Sequence, residues 1–394
     1  MIDVKYKNIY NRFIEHYKNV HVNPWHEISE RELEQLYDSL TNSMDINDEY
    51  SFKYFIDYII KRLSGTEDAH TKYDSVSLMP MNFRVFDDEI LVNYPNDLKN
   101  GRLISINGID IDTIVSELEE VITYGTVGKR KYELEKALFN RHILFGLPSL
   151  RNSDELTFGI KKVDGEETTR MFYKSKNHSN EELFDYNKYR YGENASYRFI
   201  DNCLIYNHSS VQIGFKDKIE LAIANLKKED LSSIDTIIID IRGNTGGNSS
   251  LNKILMDFIE EYRDKKLLCL TDYRVFSGGR YALRDLINLG AITIGEEIST
   301  PINCYGNSNW IEIDGHYFSA SECYFHPFLG WSASSKEEFQ REATEELLSP
   351  FIYKPDILIE ERKEDYMQGI DTILDYAIEY SKTKIQRKWK SYGK

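Results

Sequence analysis

The chain has 394 residues, 41% hydrophobic and 29% charged, an ordinary globular composition long enough for two or three packed units. Its 49 basic against 65 acidic residues leave a net charge of −16, which repels phosphate and anionic lipid and excludes nucleic acid as the expected partner. No stretch reaches the roughly 18 apolar residues of a membrane-spanning helix, so no membrane insertion is expected.

The N-terminus shows no apolar signal core, and the cytoplasm is the expected location. Cys203, Cys269, Cys304 and Cys323 lack the spacing of a zinc site, and no metal or cofactor is implied. The basic C-terminal stretch SKTKIQRKWKSYGK reads as a solvated tail.

In chain order, the first 65 residues or so read as helical. Ser29 and Glu32 form a capping box ahead of RELEQLYDSL, and Phe52, Phe55, Ile56, Ile59, Ile60 and Leu63 recur at helical spacing up to a stop at Ser64-Gly65. His70 follows in the polar loop TEDAHTKY. Short β runs then dominate: FRVF, EILVNY, RLISING, ELTFGIKKV and TTRMFY, with helices predicted over TIVSELEEVITYG and KRKYELEKALF and a tight turn at Asn107-Gly108. The polar, Tyr-rich stretch KSKNHSNEELFDYNKYRYGENASY reads as a connector.

From about Arg198 to Tyr380 apolar strands alternate with helices, which argues for a mainly parallel sheet covered on its faces. Ile370, Ile373, Leu374, Ala377 and Ile378 mark the apolar stripe of a last helix.

Local features carry chemistry only in combination. Ser277 stands where LLCLTDYRVF meets the helix starting at Gly278-Gly279, a place that suits an N-cap serine or a nucleophile beside unpaired amides. The run TIIIDIRGNTGGNSS could cradle a phosphate, aim amides at a substrate oxygen, or simply turn the chain. His70 alone reads as a solvated histidine or a base.

Together, in this order, these segments resemble the tail-specific (carboxy-terminal processing) and tricorn-core serine peptidases. DIRGNTGG resembles the family's strand-loop, LTDYRVFSGGRYAL its nucleophile segment, and AITIGEEIST the strand after it. EDAHT resembles its Asp-x-His-Thr element, GRLISINGIDI the end of its PDZ-like module, and KPDILIEERKEDYMQGIDTILDYAIEY its final segment.

The resemblance implies an α/β fold: a helical N-terminal part (1–73), a PDZ-like module (74–175) and a crotonase-like catalytic core (176–385). It implies an endopeptidase acting on a peptide or protein substrate, with Ser277 as nucleophile, His70 as general base, and Gly278 and Gly246 lining the oxyanion hole. The lysine that serves as base in the tail-specific branch has no counterpart, because no Lys occurs between Ser277 and Lys336 and the corresponding run reads GEEISTP, followed by Ile302. The His-dependent branch is therefore the one implied. The serine that precedes the histidine in the tricorn type is Ala69 here, which leaves the orienting acid open among Asp68, Glu296, Glu345 and Glu346.

Two other readings share this fold. One is a non-catalytic peptide- or apolar-ligand-binding protein, and the other a crotonase-type acyl-thioester enzyme.

Overall fold

The computed structural model describes residues 1–75, 77–87, 89–174 and 192–383. Most of the expected connector and of the basic tail lies outside the described residues. The chain forms two compact units, Met1–Phe184 with Cys304–Phe325 and Ser332–Leu348, and Asp185–Asn303 with His326–Trp331 and Ser349–Lys394.

The first unit opens with helices α1 (Val4–Val20), α2 (Glu30–Ser43) and α3 (Glu49–Ser64). The expected capping box starts α2: Ser29 Oγ accepts from the Glu32 N–H, and the Glu32 carboxylate accepts from the Ser29 N–H. On α3 the predicted apolar stripe is buried with Phe13 and Tyr17 of α1, each fully buried side chain contributing ~1.5–3 kcal/mol. Gly65 ends α3 at φ 55°, a conformation that costs glycine least.

Strand β1 (Lys72–Asp74) follows the His70 loop. Then come β2 (Asn82–Val85), β3 (Ile90–Tyr94), β4 (Arg102–Ile106) and β5 (Ile109–Asp110). Helices α4 (Ile111–Glu119) and α5 (Val127–Ala137) precede β6 (Glu155–Lys161) and β7 (Glu167–Tyr173). These strands form a six-stranded antiparallel sheet, β2-β3-β4-β6-β7 with β5 beside β4. Asn107 and Gly108, at φ 52° and 74°, make the expected two-residue turn. Ile114 and Leu118 of α4 and Leu134 of α5 bury against the sheet. At the edge of that sheet, Glu135 of α5 pairs with Arg84 (3.0 Å) and accepts the Val85 N–H (3.1 Å).

The second unit shows the predicted alternation. It runs β8 (Ser196–Ile200), β9 (Cys203–Asn207), α6 (Lys216–Leu226), β10 (Thr236–Asp240), α7 (Asn252–Glu261), β11 (Lys266–Thr271), α8 (Gly278–Asn288) and β12 (Ile292–Gly295). The alternation does not continue as the sequence suggested. Residues 304–325 belong to the first unit, within a long hairpin of β13 (Cys304–Ile313) and β14 (His316–His326). Asp314 and Gly315, both at positive φ, close the hairpin. There β1 adds to β14, with Lys72 opposite Ser319 and Tyr73 opposite Phe318.

Back in the second unit lie β15 (Ile357–Leu358) and helix α9 (Thr372–Ser381). The sheet order is β15-β12-β11-β10-β9-β8, parallel except for β8. Both faces are covered, which explains the continuously apolar strands. Ile237 and Ile239 pack into the core shared by α6, α7 and α8, and Ile238 into the one containing α9. Ile370, assigned to the last stripe, precedes α9 and is 38% exposed, because Asp371 caps the helix by accepting the Leu374 N–H. Among the described residues no helix is long and apolar enough to cross a membrane.

Candidate active site

Ser277 and its surroundings are built entirely from the second unit. β11 ends at Thr271, and Asp272 then fastens two loops at once: its Oδ1 accepts from the Gly243 N–H and the Arg274 N–H, each at 3.0 Å. The Phe276 N–H donates to the Asn244 carbonyl at 2.9 Å. Ser277 follows at φ 49°, ψ −120°, a conformation that costs a non-glycine residue ~1–3 kcal/mol. It occupies the N-cap position of α8 but makes no side-chain cap bond. Capping therefore does not account for a serine at this strained turn.

The glycine-rich loop packs directly against that turn. Its base is Arg242, buried and bonded through Nε and Nη2 to Asp240 (2.9 and 2.7 Å) and through Nη1 and Nη2 to Asp371 (2.7 Å each). Gly246 has φ 102°, and a Cβ on it would lie 2.5 Å from the Gly278 nitrogen and 2.7 Å from the Ser277 Cβ. Only glycine fits. The Gly246 N–H donates to Asn244 Oδ1 at 2.9 Å, while Asn244 Nδ2 donates to the His208 carbonyl at 2.7 Å. The next residue, Gly247, comes alongside Gly278: a Cβ on Gly278 would lie 3.0 Å from the Gly247 nitrogen.

Gly278 is the first residue of α8, so its N–H has no acceptor within the helix and sits at the positive end of the helix dipole. Asn252 Nδ2 donates to the Gly278 carbonyl (3.3 Å), and the Asn252 Oδ1 lies 2.9 Å from His208 Nε2. With that amide oxygen able only to accept, the His208 proton resides on Nε2. Burial holds the His208 pKa below its usual value, against the Asn252 hydrogen bond.

His70 lies in the first unit, between α3 and β1, and is partly buried. Its Nδ1 is 3.1 Å from the Tyr305 carbonyl on β13. A carbonyl can only accept, so Nδ1 carries the proton and the neutral ring has its lone pair on Nε2, the tautomer a general base requires. The His70 carbonyl accepts from Ser319 Oγ at 2.6 Å, and its N–H donates to Asp68 Oδ1 at 3.0 Å.

The acids left open by the sequence sort themselves by partner. Asp68 holds the backbone of the His70 loop, while the imidazole Nδ1 faces Tyr305. Burial opposes ionisation of Asp68, but hydrogen bonds from His21, Ser321 and Thr71 overcome it and hold its carboxyl well below the usual range. Glu296, in the second unit, accepts from the Glu361 N–H (3.3 Å). Glu345 and Glu346, in the short helix Glu345–Leu348, are exposed.

Next to Asp68, Glu67 is raised to about 7 by burial and by the Glu27 charge. The folded protein thus keeps a proton that the unfolded chain releases near pH 4.5, so stability falls as pH rises from about 4.5 to 7. Glu67→Gln is expected to melt with the wild type near pH 4.5 and about 2–4 °C above it at pH 8. A difference in melting temperature that does not change with pH would contradict this.

The sequence did not single out Tyr305, Ser319 and Ser321, which surround the His70 loop, or Asn244, Asn252 and His208, which surround the Ser277 turn. The Asp314-Gly315 pair, a strong hairpin signal, was the one cue that pointed to β13 and β14.

No protein-family model matches the chain, and a search of curated proteins also gives no match. Among solved structures, the crystal structure of mature CPAF aligns with a TM-score of 0.62 at 11% identity, covering 96% of this chain and 97% of that one. The structure of mature CPAF complexed with lactacystin aligns with the same TM-score and identity, covering 98% of its chain. The photosystem II D1 C-terminal processing protease aligns at a TM-score of 0.43 and 8% identity over 97% of this chain. The chain has the mixed α/β fold of mature CPAF.

Proposed function

We propose that this chain is a serine peptidase that cleaves peptide bonds in a peptide or protein substrate through an acyl-enzyme on Ser277, with His70 as general base. The observation that carries the reading is the Ser277 turn: a strained serine at a helix N-terminus that it does not cap, packed against a glycine loop that admits no side chain. Strain kept at one hydroxyl, beside backbone amides, suits a nucleophile.

In this mechanism His70 Nε2 takes the Ser277 proton as Oγ attacks the carbonyl carbon. The imidazolium then gives that proton to the leaving amine. Water, deprotonated in turn by His70, releases the acid and restores the serine. The amides of Gly278 and Gly247 serve as oxyanion donors. Gly246, the second donor expected from the sequence, contributes space instead, since its own N–H is bonded to Asn244.

Gly246→Ala is expected to displace both donors and lower the rate by about 10²–10³-fold, the cost of losing an oxyanion contact. A variant within threefold of wild type would remove this assignment.

The six-stranded antiparallel sheet with α4 and α5 is read as the PDZ-like module (74–175), and the parallel sheet as the crotonase-like core (within 176–385). Because Glu135 occupies the Val85 N–H on the module's edge strand, peptide docking along β2 is not part of the proposal.

A non-catalytic peptide-binding role has one observation in its favour: a neutral carbonyl, that of Tyr305, lies against His70 Nδ1. The test that separates the two is incubation of full-length protein with an unfolded protein substrate, followed by mass spectrometry. New termini that appear with wild type and are absent with Ser277→Ala support the peptidase. An intact substrate that is nevertheless retained by the protein supports the binder.

A further inference from the structure

The loop carrying His70 is fastened to a residue far upstream. Asp68, 1% exposed, accepts through Oδ1 from the N–H groups of His70 and Thr71 (3.0 Å each) and from Ser321 Oγ (2.6 Å). Its Oδ2 faces Nε2 of His21 at 3.1 Å, and His21 is wholly buried just beyond the end of α1. Since the Asn23 N–H donates to His21 Nδ1 (3.1 Å), the neutral His21 ring carries its proton on Nε2, aimed at Asp68.

The same short segment reaches the other support of His70. Asn23 Nδ2 donates to the Tyr305 hydroxyl at 3.1 Å, and the His21 and Tyr305 rings pack with centroids 4.8 Å apart. Tyr305 is the residue whose carbonyl holds His70 Nδ1. His21 therefore touches both the carboxylate that fixes the His70 backbone and the residue that fixes its ring.

We propose that His21 and Asp68 are positioning residues for His70, which makes the end of α1 part of the catalytic machinery. This rests on His70 being the base. Asp68 holds two successive loop amides in one orientation, and His21 holds Asp68. A buried carboxylate with these donors removed would move, and a shift of about 1 Å in a catalytic group costs on the order of 10²-fold in rate.

The test is the kinetics of Ser277 inactivation by a fluorophosphonate probe on the full chain, for wild type, His21→Phe, His21→Gln and Asp68→Asn, each also in a His70→Ala background. His21→Phe and Asp68→Asn should lower the maximal inactivation rate about 100-fold, with the half-saturating probe concentration unchanged within twofold. His21→Gln, whose amide can still donate to Asp68, should recover most of the loss. In the His70→Ala background none of the three should cost anything further, because the residue they position is gone.

Equal losses in both backgrounds would mean a purely structural role and overturn the proposal. So would wild-type rates in folded Asp68→Asn. Thermal melts identify any unfolded variant, and should His21→Phe not fold, Asp68→Asn and His21→Gln decide the outcome. A His70→Ala protein that labels as fast as wild type would instead remove the base assignment itself.

Discussion

Ser277→Ala is expected to abolish fluorophosphonate labelling and to lower peptide hydrolysis by on the order of 10⁶-fold, the loss seen when a serine nucleophile is removed from a working triad. The backbone at this position allows a second, independent check. Alanine keeps the φ of 49° and its strain, whereas glycine accepts that conformation readily. Ser277→Gly should therefore be as inactive as Ser277→Ala but more stable by ~1 kcal/mol. Labelling by intact mass and thermal melts together decide the matter. Residual labelling of Ser277→Ala would place the nucleophile elsewhere, and a glycine variant less stable than the alanine one would contradict the strain.

His70→Ala comes next in size, with an expected loss of about 10⁴-fold or more in the rate of Ser277 acylation. The Tyr305 carbonyl, 3.1 Å from His70 Nδ1, bears on how that base would work. An orienting carboxylate has two tasks, selecting the tautomer and stabilising the imidazolium, and losing the correct tautomer in the best-studied triad costs about 10⁴. The Tyr305 carbonyl performs the first task, because it can accept a proton and never donate one. For the second, a neutral carbonyl is weaker than a carboxylate. Activity should rise with pH as neutral imidazole forms. A rate that stays flat between about pH 5 and 8, or a His70→Ala protein within tenfold of wild type, would show that another group takes the Ser277 proton.

How much of this was legible depends on how local each signal is. The Ser29–Glu32 box, the apolar stripe of α3 and the doubly buried strands of the second unit are written in neighbouring residues, and each appears where the sequence placed it. The hairpin carried a local signal at Asp314-Gly315, but the addition of β1 to it did not, because β1 is three residues long and pairs across some 250 positions, Lys72 to Ser319. Within the second unit, Ser277, Gly246 and Gly278 stand together, a Cβ on Gly246 lying 2.5 Å from the Gly278 nitrogen and 2.7 Å from the Ser277 Cβ.

The Tyr305 carbonyl beside His70 Nδ1 could not be read from residue types at all, because any residue at 305 supplies one. Asp68, two positions from His70, is legible in the sequence as a candidate acid. Its task, holding the loop and not the ring, follows from hydrogen bonds to His21 and Ser321, residues 47 and 253 positions away. Ile370 was misplaced for a simpler reason: periodicity continued past a helix start that the Asp371 cap defines.

The central claim is an activated nucleophile at Ser277, and mapping a fluorophosphonate adduct on the folded full-length chain by tandem mass spectrometry tests it most directly. The expected result is a single adduct on Ser277, formed faster as pH rises through neutrality and about 10⁴-fold or more slowly in His70→Ala. A folded wild type that stays unlabelled from neutral to mildly alkaline pH, or an adduct on any other residue, would contradict it.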